Sequence, residues 1–201
     1  DHIKIAGKLV VTLAGHLTHV STDFEREDGE RTMHNVFTPR GGLTWLCGDN
    51  VSAFAVYDQC FLAQGGRSFE HKTFKPLTGF NIEAGLKSYY FNKKLNMNLS
   101  IFNIERNNSL TADHVHPGYD ISRGQTVSKG IDFDMTGYLT NALIVNANYE
   151  YSVARVTKDT DPNIAGGSIF NTPDHRANLW LNYKLLHKKL NGMSFALGNQ
   201  Y

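Results

Sequence analysis

Long apolar runs are missing from this sequence of 201 residues. Asn, Asp, Lys or Gly interrupts every apolar stretch before it reaches the roughly 18 to 20 residues that a membrane-spanning helix requires. The sequence therefore excludes helices that cross a membrane.

An excess of charge of one sign is missing as well, since 20 Lys and Arg residues against 19 Asp and Glu residues give a net charge of +1. The basic residues are scattered along the chain, which leaves no electrostatic footprint for nucleic acid and excludes that partner. Charged residues make up 19% of the chain, below the roughly 25% that is usual in soluble domains. This low share of charge, together with aromatic residues at 11% and 18 glycines, is a mixture that favours β structure.

Cysteine is scarce, with Cys47 and Cys60 as the two examples. They lie near the two ends of one predicted strand, where their separation would be on the order of 40 Å, against the roughly 7 Å that a disulfide allows between Cα atoms. We therefore predict two free thiols. Two cysteines without convergent histidines are also too few for a structural zinc site.

Short and long connections alternate strictly along the chain. Turn-like segments at 48–50, 92–94, 139–141 and 187–189 are separated by longer polar segments at 25–35, 62–78, 108–124 and 155–172, rich in Gly, Asp, Asn, His and Pro. Tight turns at one end of the strands and long loops at the other are typical of an up-and-down barrel in an outer membrane.

The segments between these connections alternate with a period of two. Leu95, Met97, Leu99 and Ile101 alternate with Asn96, Asn98, Ser100 and Phe102, and the pattern recurs at 9–18, 131–136, 143–150 and 177–183. A barrel wall needs such an apolar face for lipid and a polar face for the lumen. We expect the following apolar side chains to share the convex, lipid-facing side: Leu13, Leu99, Ile101, Val145 and Leu181.

One strand on each side of every turn and loop gives about eight strands of ~10 residues, with partial strands at 194–201 and 2–5. Both chain ends fall within or beside strand-like patterns. We therefore expect an all-β fold, an antiparallel up-and-down transmembrane β-barrel present as an incomplete arc of about 8–10 strands from a larger barrel.

Four segments resemble the barrel of TonB-dependent siderophore receptors, in particular the receptors for ferrichrome and other hydroxamates. They are TPRGGLTWLCGDNVSAFAVYDQCFLAQGG at 38–66, FKPLTGFNIEAGLKSYYFNKKLNMNLSIFNIERNN at 74–108, GQTVSKGIDFDMTGYLTNALIVNANYEYSVARVTKDTD at 124–161 and FNTPDHRANLWLNYKL at 170–185. Each motif alone is weak, but their order along nearly the whole chain makes coincidence improbable. Cys60 departs from the small polar residue that the family usually has there.

The resemblance implies a transporter of the 22-stranded type in the cell outer membrane, in contact with its lipid. Its cargo would be a ferric siderophore, and uptake would be energised by the TonB system through a plug domain. Residues 1–201 would then be a partial barrel domain, with the plug and the closing strands absent. No catalytic residue, metal ligand or protein-bound cofactor is expected, because iron arrives already chelated.

Candidate site residues follow from this interpretation. Four aromatic residues of the long loops could line a ligand-binding mouth, because ferric siderophores offer flat apolar surface; they are Phe69, Phe74, Tyr119 and Phe170. Packing within the loops, or an aromatic girdle, is the alternative. Glu83, Asp132 and Asp134 lie on the polar faces of their strands, where plug docking or lumen salt bridges are favoured over acid–base chemistry.

The loop histidines are weaker candidates. His114 and His116 are two residues apart and could share a metal if the loop were extended, but nothing nearby supplies further ligands, so solvated side chains are favoured. His175 is expected at the start of a strand near the outer rim.

Other functions remain open. They are a TonB-dependent receptor for haem, vitamin B12 or a glycan, an outer-membrane hydrolase and a soluble β-sandwich that binds a partner. The sequence does not specify which siderophore is carried.

Overall fold

The structure is a computed structural model that describes residues 1–23, 31–65, 68–113, 115–122, 124–159, 161–190 and 192–201. Among these residues, no helix is long and apolar enough to cross a membrane.

The chain forms one antiparallel sheet of ten strands, in which neighbours in sequence are neighbours in space. Their bounds are β1 (His2–Ile5), β2 (Leu9–Asp23), β3 (Arg31–Leu46), β4 (Val51–Leu62), β5 (Leu77–Tyr90), β6 (Leu95–Asn107), β9 (Gln125–Tyr138), β10 (Leu143–Lys158), β11 (His175–Lys184) and β12 (Ser194–Gln200). A separate hairpin of β7 (Leu110–Ala112) and β8 (Asp120–Ser122) interrupts the order between β6 and β9. A short 3-10 helix, Lys188–Leu190, precedes β12. The all-β antiparallel fold and the two partial strands are confirmed.

Three of the four predicted short turns are confirmed, whereas β11 and β12 are joined by nine residues, 185–193, where a short turn at 187–189 was predicted. Of the predicted loop at 25–35, residues 25–30 lie outside the described residues. Residues 47–50, 91–94 and 139–142 make short turns at one end of the strands, whereas 63–76, 108–124 and 159–174 make long connections at the other. One close approach explains a glycine: a Cβ on Gly137, which has φ 135°, would lie 2.0 Å from the carbonyl oxygen of Lys94. β9 can therefore pass beside the 91–94 turn only with glycine at this position.

Seven of the ten strands of the sheet are longer than the ~10 residues expected from a membrane crossing, and β3 and β10 have 16 residues each. Residues 31–35 and 155–158, which were predicted as loop, belong to strands. Their polar side chains made them look like loop, but their backbones continue the ladder with the neighbouring strand. Backbone pairing does not depend on apolar side chains once the strand has left the lipid.

Strand register places the two kinds of side chain on opposite faces, because directly paired residues of antiparallel strands point the same way. One row across the sheet contains Ala53, Leu86, Leu99, Phe133, Tyr149 and Ala177. The adjacent row on the other face contains Phe54, Gly85, Ser100, Asp132, Glu150 and Arg176. We call these the apolar face and the polar face.

In the described part of the chain, the apolar face is open and no second layer packs against it. Leu13 is 55% exposed and Ile101 is 60% exposed, as a lipid-facing surface requires. Val145 lies on this face by its pairing with Leu181, but neighbouring side chains leave it only 1% exposed. Among the described residues the buried apolar side chains are Leu95, Ala142, Val145 and Val156, too few for the core of a soluble sandwich.

Candidate functional site

The predicted acidic residues lie together on the polar face. Glu83 on β5 and Asp132 on β9 border one open concavity of about 470 Å³. Asp134 is on the same face, two residues along β9, and borders a neighbouring concavity of about 670 Å³. The structure therefore brings all three together, because the side chain of Asp132 lies within interaction range of both Asp134 and Glu83.

Sequence reasoning missed two further charged residues of this site. Glu150 on β10 is paired directly with Asp132, and Arg176 on β11 is paired with Glu150. The guanidinium of Arg176 donates to both oxygens of Glu150, at 2.6 Å each. The alternation in β10 and β11 already assigned both residues to the polar face, so their parity was the available signal.

The carboxylates of this site outnumber the ion pairs that they form within it. Three carboxylates, those of Glu83, Asp132 and Glu150, border the concavity, and one of them is paired with Arg176. Arg106 borders it from β6. We call Glu83, Asp132 and Glu150 the acidic patch. Such a surface can hold basic or hydrogen-bonding groups of a partner that fills the lumen.

A second site lies at the end of the sheet with the long loops. Phe69 and Tyr119, from different loops, pack edge to face with ring centroids 5.6 Å apart. Phe170 is 95% exposed. Within the described part of the chain, neither Phe74 nor Phe170 makes a ring contact. The structure thus joins two of the four predicted aromatic residues.

His116 makes contacts that we did not expect of a solvated side chain. Its ring stacks on Phe69 with centroids 3.7 Å apart and an interplanar angle of 11°. Its Nδ1 lies 2.9 Å from Oδ2 of Asp113, a carboxylate whose side chain is 9% exposed. This hydrogen bond, with further bonds from the backbone N–H groups of Val115 and His116, holds the pKa of Asp113 below its ordinary value. His114 lies outside the described residues.

The remaining candidates are His175 and the two cysteines. His175 begins β11, as predicted, and contacts Tyr149 and Tyr151 on the apolar face, with Nδ1 2.8 Å from the Tyr149 hydroxyl. In the part of the chain that the structure describes, no group of three or more His, Cys, Asp or Glu side chains is placed to hold a metal ion. Cys47 and Cys60 are free and exposed, so the prediction of two free thiols is confirmed.

Comparison with known proteins gives a family match over residues 1–201 to the model described as TonB dependent receptor-like, beta-barrel. The metal-pseudopaline receptor of Pseudomonas aeruginosa PAO1 is 35% identical over 177 residues, which cover 88% of this chain and 25% of that protein. The ferrichrome outer membrane transporter and phage receptor of Escherichia coli K12 is 24% identical over 202 residues, covering 96% of this chain and 26% of that protein.

A solved structure shares the fold. The ferripyoverdine receptor of the Pseudomonas aeruginosa outer membrane, bound to ferripyoverdine, matches with a TM-score of 0.82 and 22% identity over 99% of this chain and 27% of that one. The chain thus spans about a quarter of the length of these relatives. The relatives are receptors and transporters, which agrees with the expectation that the chain does no covalent chemistry.

Proposed function

The chain belongs to the TonB-dependent receptor family, whose members lie in the cell outer membrane, and from this premise we propose that it serves the energised uptake of ferric siderophores. In this proposal the 201 residues are one stretch of barrel wall. A plug domain and further strands complete the receptor, and the plug couples it to the TonB system.

One observation carries the proposal: an all-antiparallel sheet with an open apolar face and a charged polar face, in a chain that matches the family model from end to end. The apolar face suits lipid, and the polar face suits a lumen with a plug. Relatives named for ferrichrome, ferric pyoverdine and ferrioxamine B support the choice of cargo class.

Growth under iron starvation tests the proposal. The gene that encodes the complete receptor is deleted and then restored in its own host, and hydroxamate, catecholate and pyoverdine-type ferric siderophores are supplied singly. We expect at least one to support growth only when both the receptor and TonB are present. The proposal would be contradicted if growth on every siderophore offered were independent of both the receptor and TonB.

The acidic patch serves, in this proposal, as a docking point for the plug. Its carboxylates outnumber the cation they pair with on the sheet, so basic groups of a plug can complete the pairing. Asp134 extends the same polar face toward the turns. We expect Asp132→Asn to increase protease cleavage of the plug in the complete receptor. Asp58→Asn, a carboxylate of the same face outside this concavity, is the matched control.

The aromatic residues of the long loops, Phe69, Phe74, Tyr119 and Phe170, form the cargo-contacting mouth in this proposal. Phe170 is the best test, because its almost complete exposure leaves no packing role to lose. Phe170→Leu should weaken binding of the transported siderophore several-fold, since an aromatic contact of this kind contributes roughly 0.5–1.5 kcal/mol. Phe37→Leu, on the apolar face and 61% exposed, should leave binding unchanged.

A different metal complex is the second candidate cargo, because the relative at 35% identity is named for metal-pseudopaline. Uptake of radioactive iron, zinc and nickel by cells with and without the receptor separates the two. If the receptor took up zinc or nickel and no iron, its cargo would be a complex of that metal and not a ferric siderophore. The same strains are tested for growth with haem as the iron source, with vitamin B12 as a required growth factor and with glycans as the carbon source.

A further inference from the structure

Two long loops meet at the outer end of the sheet. The first loop, 63–76, joins β4 to β5, and the second loop, 108–124, joins β6 to β9 and contains the β7–β8 hairpin. Loops on adjacent hairpins can lie apart in solvent, because chain connectivity does not require them to touch. These two touch at their tips and at their bases.

The tips interdigitate through four rings, which we call the tip cluster: His71, Tyr119, Phe69 and His116. Tyr119 of the second loop lies between His71 and Phe69 of the first, at centroid distances of 6.2 and 5.6 Å and nearly perpendicular to both. Phe69 in turn lies between Tyr119 and the stacked ring of His116. The rings therefore alternate between the two loops, and neither loop can leave without breaking ring contacts.

Asp113 orients the last ring of the cluster. Its carboxylate accepts hydrogen bonds from the backbone N–H groups of Val115, at 2.8 Å, and His116, at 3.1 Å, in addition to its bond with the imidazole. The N–H of Asp113 donates to the carbonyl of Tyr119, which closes the end of the β7–β8 hairpin. The second loop thus holds its imidazole in place by contacts of its own.

A separate clamp joins the loop bases. The side-chain amide of Gln64 donates to the carbonyl of Asn108 at 2.6 Å, and the side-chain amide of Asn108 donates to the carbonyl of Pro76 at 2.9 Å. Asn108 has φ 63°, a left-handed conformation that Asn adopts more readily than most residues. These bonds cross between the loops at a point distinct from the tip cluster.

From these two sets of contacts we infer that the first and second loops form one interlocked unit, closed by the stack of His116 on Phe69, which presents Phe69 and Tyr119 as a single wall. As a cargo-contacting wall the unit rests on the proposed function. The contact between the two loops does not rest on the proposed function, because it is present in the receptor without cargo.

Hydrogen exchange of the complete receptor, without any ligand, tests the interlock across the loops. The amides of His71 and Lys72 are bonded to Ser68 within the first loop, at 2.9 and 2.7 Å. We expect His116→Asn, a change in the second loop, to speed their exchange by up to roughly tenfold, as expected for loss of the ring stack that joins the two loops. His116→Phe, which keeps a stacking ring, should restore slow exchange in the first loop.

The reciprocal experiment changes a residue of the first loop and follows amide exchange in the second loop. Phe69→Leu should speed exchange of the amides of Asp113 and Tyr119, both bonded within the second loop. Phe170→Leu, in a third loop, is the matched control and should leave both loops unchanged. The strand amides of β9 and β10 should keep their protection in every variant.

Two results would overturn the inference. Faster exchange confined to the loop that carries each substitution would mean that the loops are independent. Faster exchange of β9 and β10 as well would mean that the cluster supports the barrel as a whole. A receptor that showed reciprocal loosening but took up no ferric siderophore would refute the proposed function and leave the interlocked unit intact.

Discussion

Replacing Leu99 by Arg tests which face of the sheet meets lipid. Leu99 lies on the apolar face of β6, paired with Leu86 and Phe133, and is 47% exposed. The apolar positions of this strand begin at Leu95, and the first polar residue on the same face is Asn103. At about 3.3 Å per residue, Leu99 is roughly 13 Å along the strand from each of these limits.

The position of Leu99 sets the size of the expected effect. With the strand tilted by about 40°, 13 Å along it is roughly 10 Å of depth, which places Leu99 near the middle of an apolar band about 25 Å tall. Arg on the lipid face at such a depth costs about 2–4 kcal/mol. We therefore expect Leu99→Arg to lower the free energy of unfolding of the complete receptor in lipid vesicles by that amount.

The assay is urea-induced unfolding in vesicles, followed by the change in electrophoretic mobility between folded and unfolded receptor. Asn98→Arg is the matched control, because Asn98 is the neighbouring residue on the polar face, paired with Lys87 and Asp134. It should change the free energy of unfolding by less than about 1 kcal/mol. If Asn98→Arg were as damaging as Leu99→Arg, or more so, our assignment of the two faces would be wrong.

Three further predictions concern charge and thiol chemistry. Arg176→Ala, which removes the guanidinium, should lower the free energy of unfolding by about 1 kcal/mol or less, since the pair with Glu150 is partly exposed. An unfolding titration measures this change. A loss of several kcal/mol would show that the pair is effectively buried. The pKa of Asp113 is lowered, so its contribution to loop stability is complete above the ordinary carboxyl range and is lost as the pH falls through the lowered pKa. Hydrogen exchange of the second loop should therefore become faster only at a pH below the ordinary carboxyl range. Asp113→Asn should abolish this pH dependence. Thiol titration of the denatured, non-reduced chain should find Cys47 and Cys60 both reactive, and a missing thiol would contradict the distance between them.

The period-two alternation and the spacing of turns were sufficient to predict the sheet and its faces. Leu99 and Asp132 were assigned correctly because side-chain direction in a strand follows from parity alone. Strand length was underestimated at 155–158, since polar residues beyond the lipid do not interrupt backbone pairing. Composition marks where lipid ends, whereas hydrogen bonding marks where the strand ends.

The sites were only partly predictable. The polar-face carboxylates Glu83, Asp132 and Asp134 were proposed from the sequence, but their neighbours Glu150 and Arg176 were not, although the parity of both residues was readable. For the loops no comparable signal exists. Nothing in the sequence around His116 indicates a stack on Phe69, because the two residues belong to different loops separated by a complete hairpin.

The sequence by itself determined the local properties of this protein: the strands, the apolar and polar faces, the free thiols and the family. The family follows from the resemblance of four segments in the same order along the chain. The strands, the two faces and the free thiols follow from backbone geometry and from the period of the side chains, which act within a few residues of each other. Only the tertiary structure decided which groups from distant segments meet, such as the acidic patch across β5, β9 and β10 and the tip cluster across two loops. The reason is that these contacts depend on register summed over several strands and on loop conformation, and neither is encoded in any short stretch of sequence.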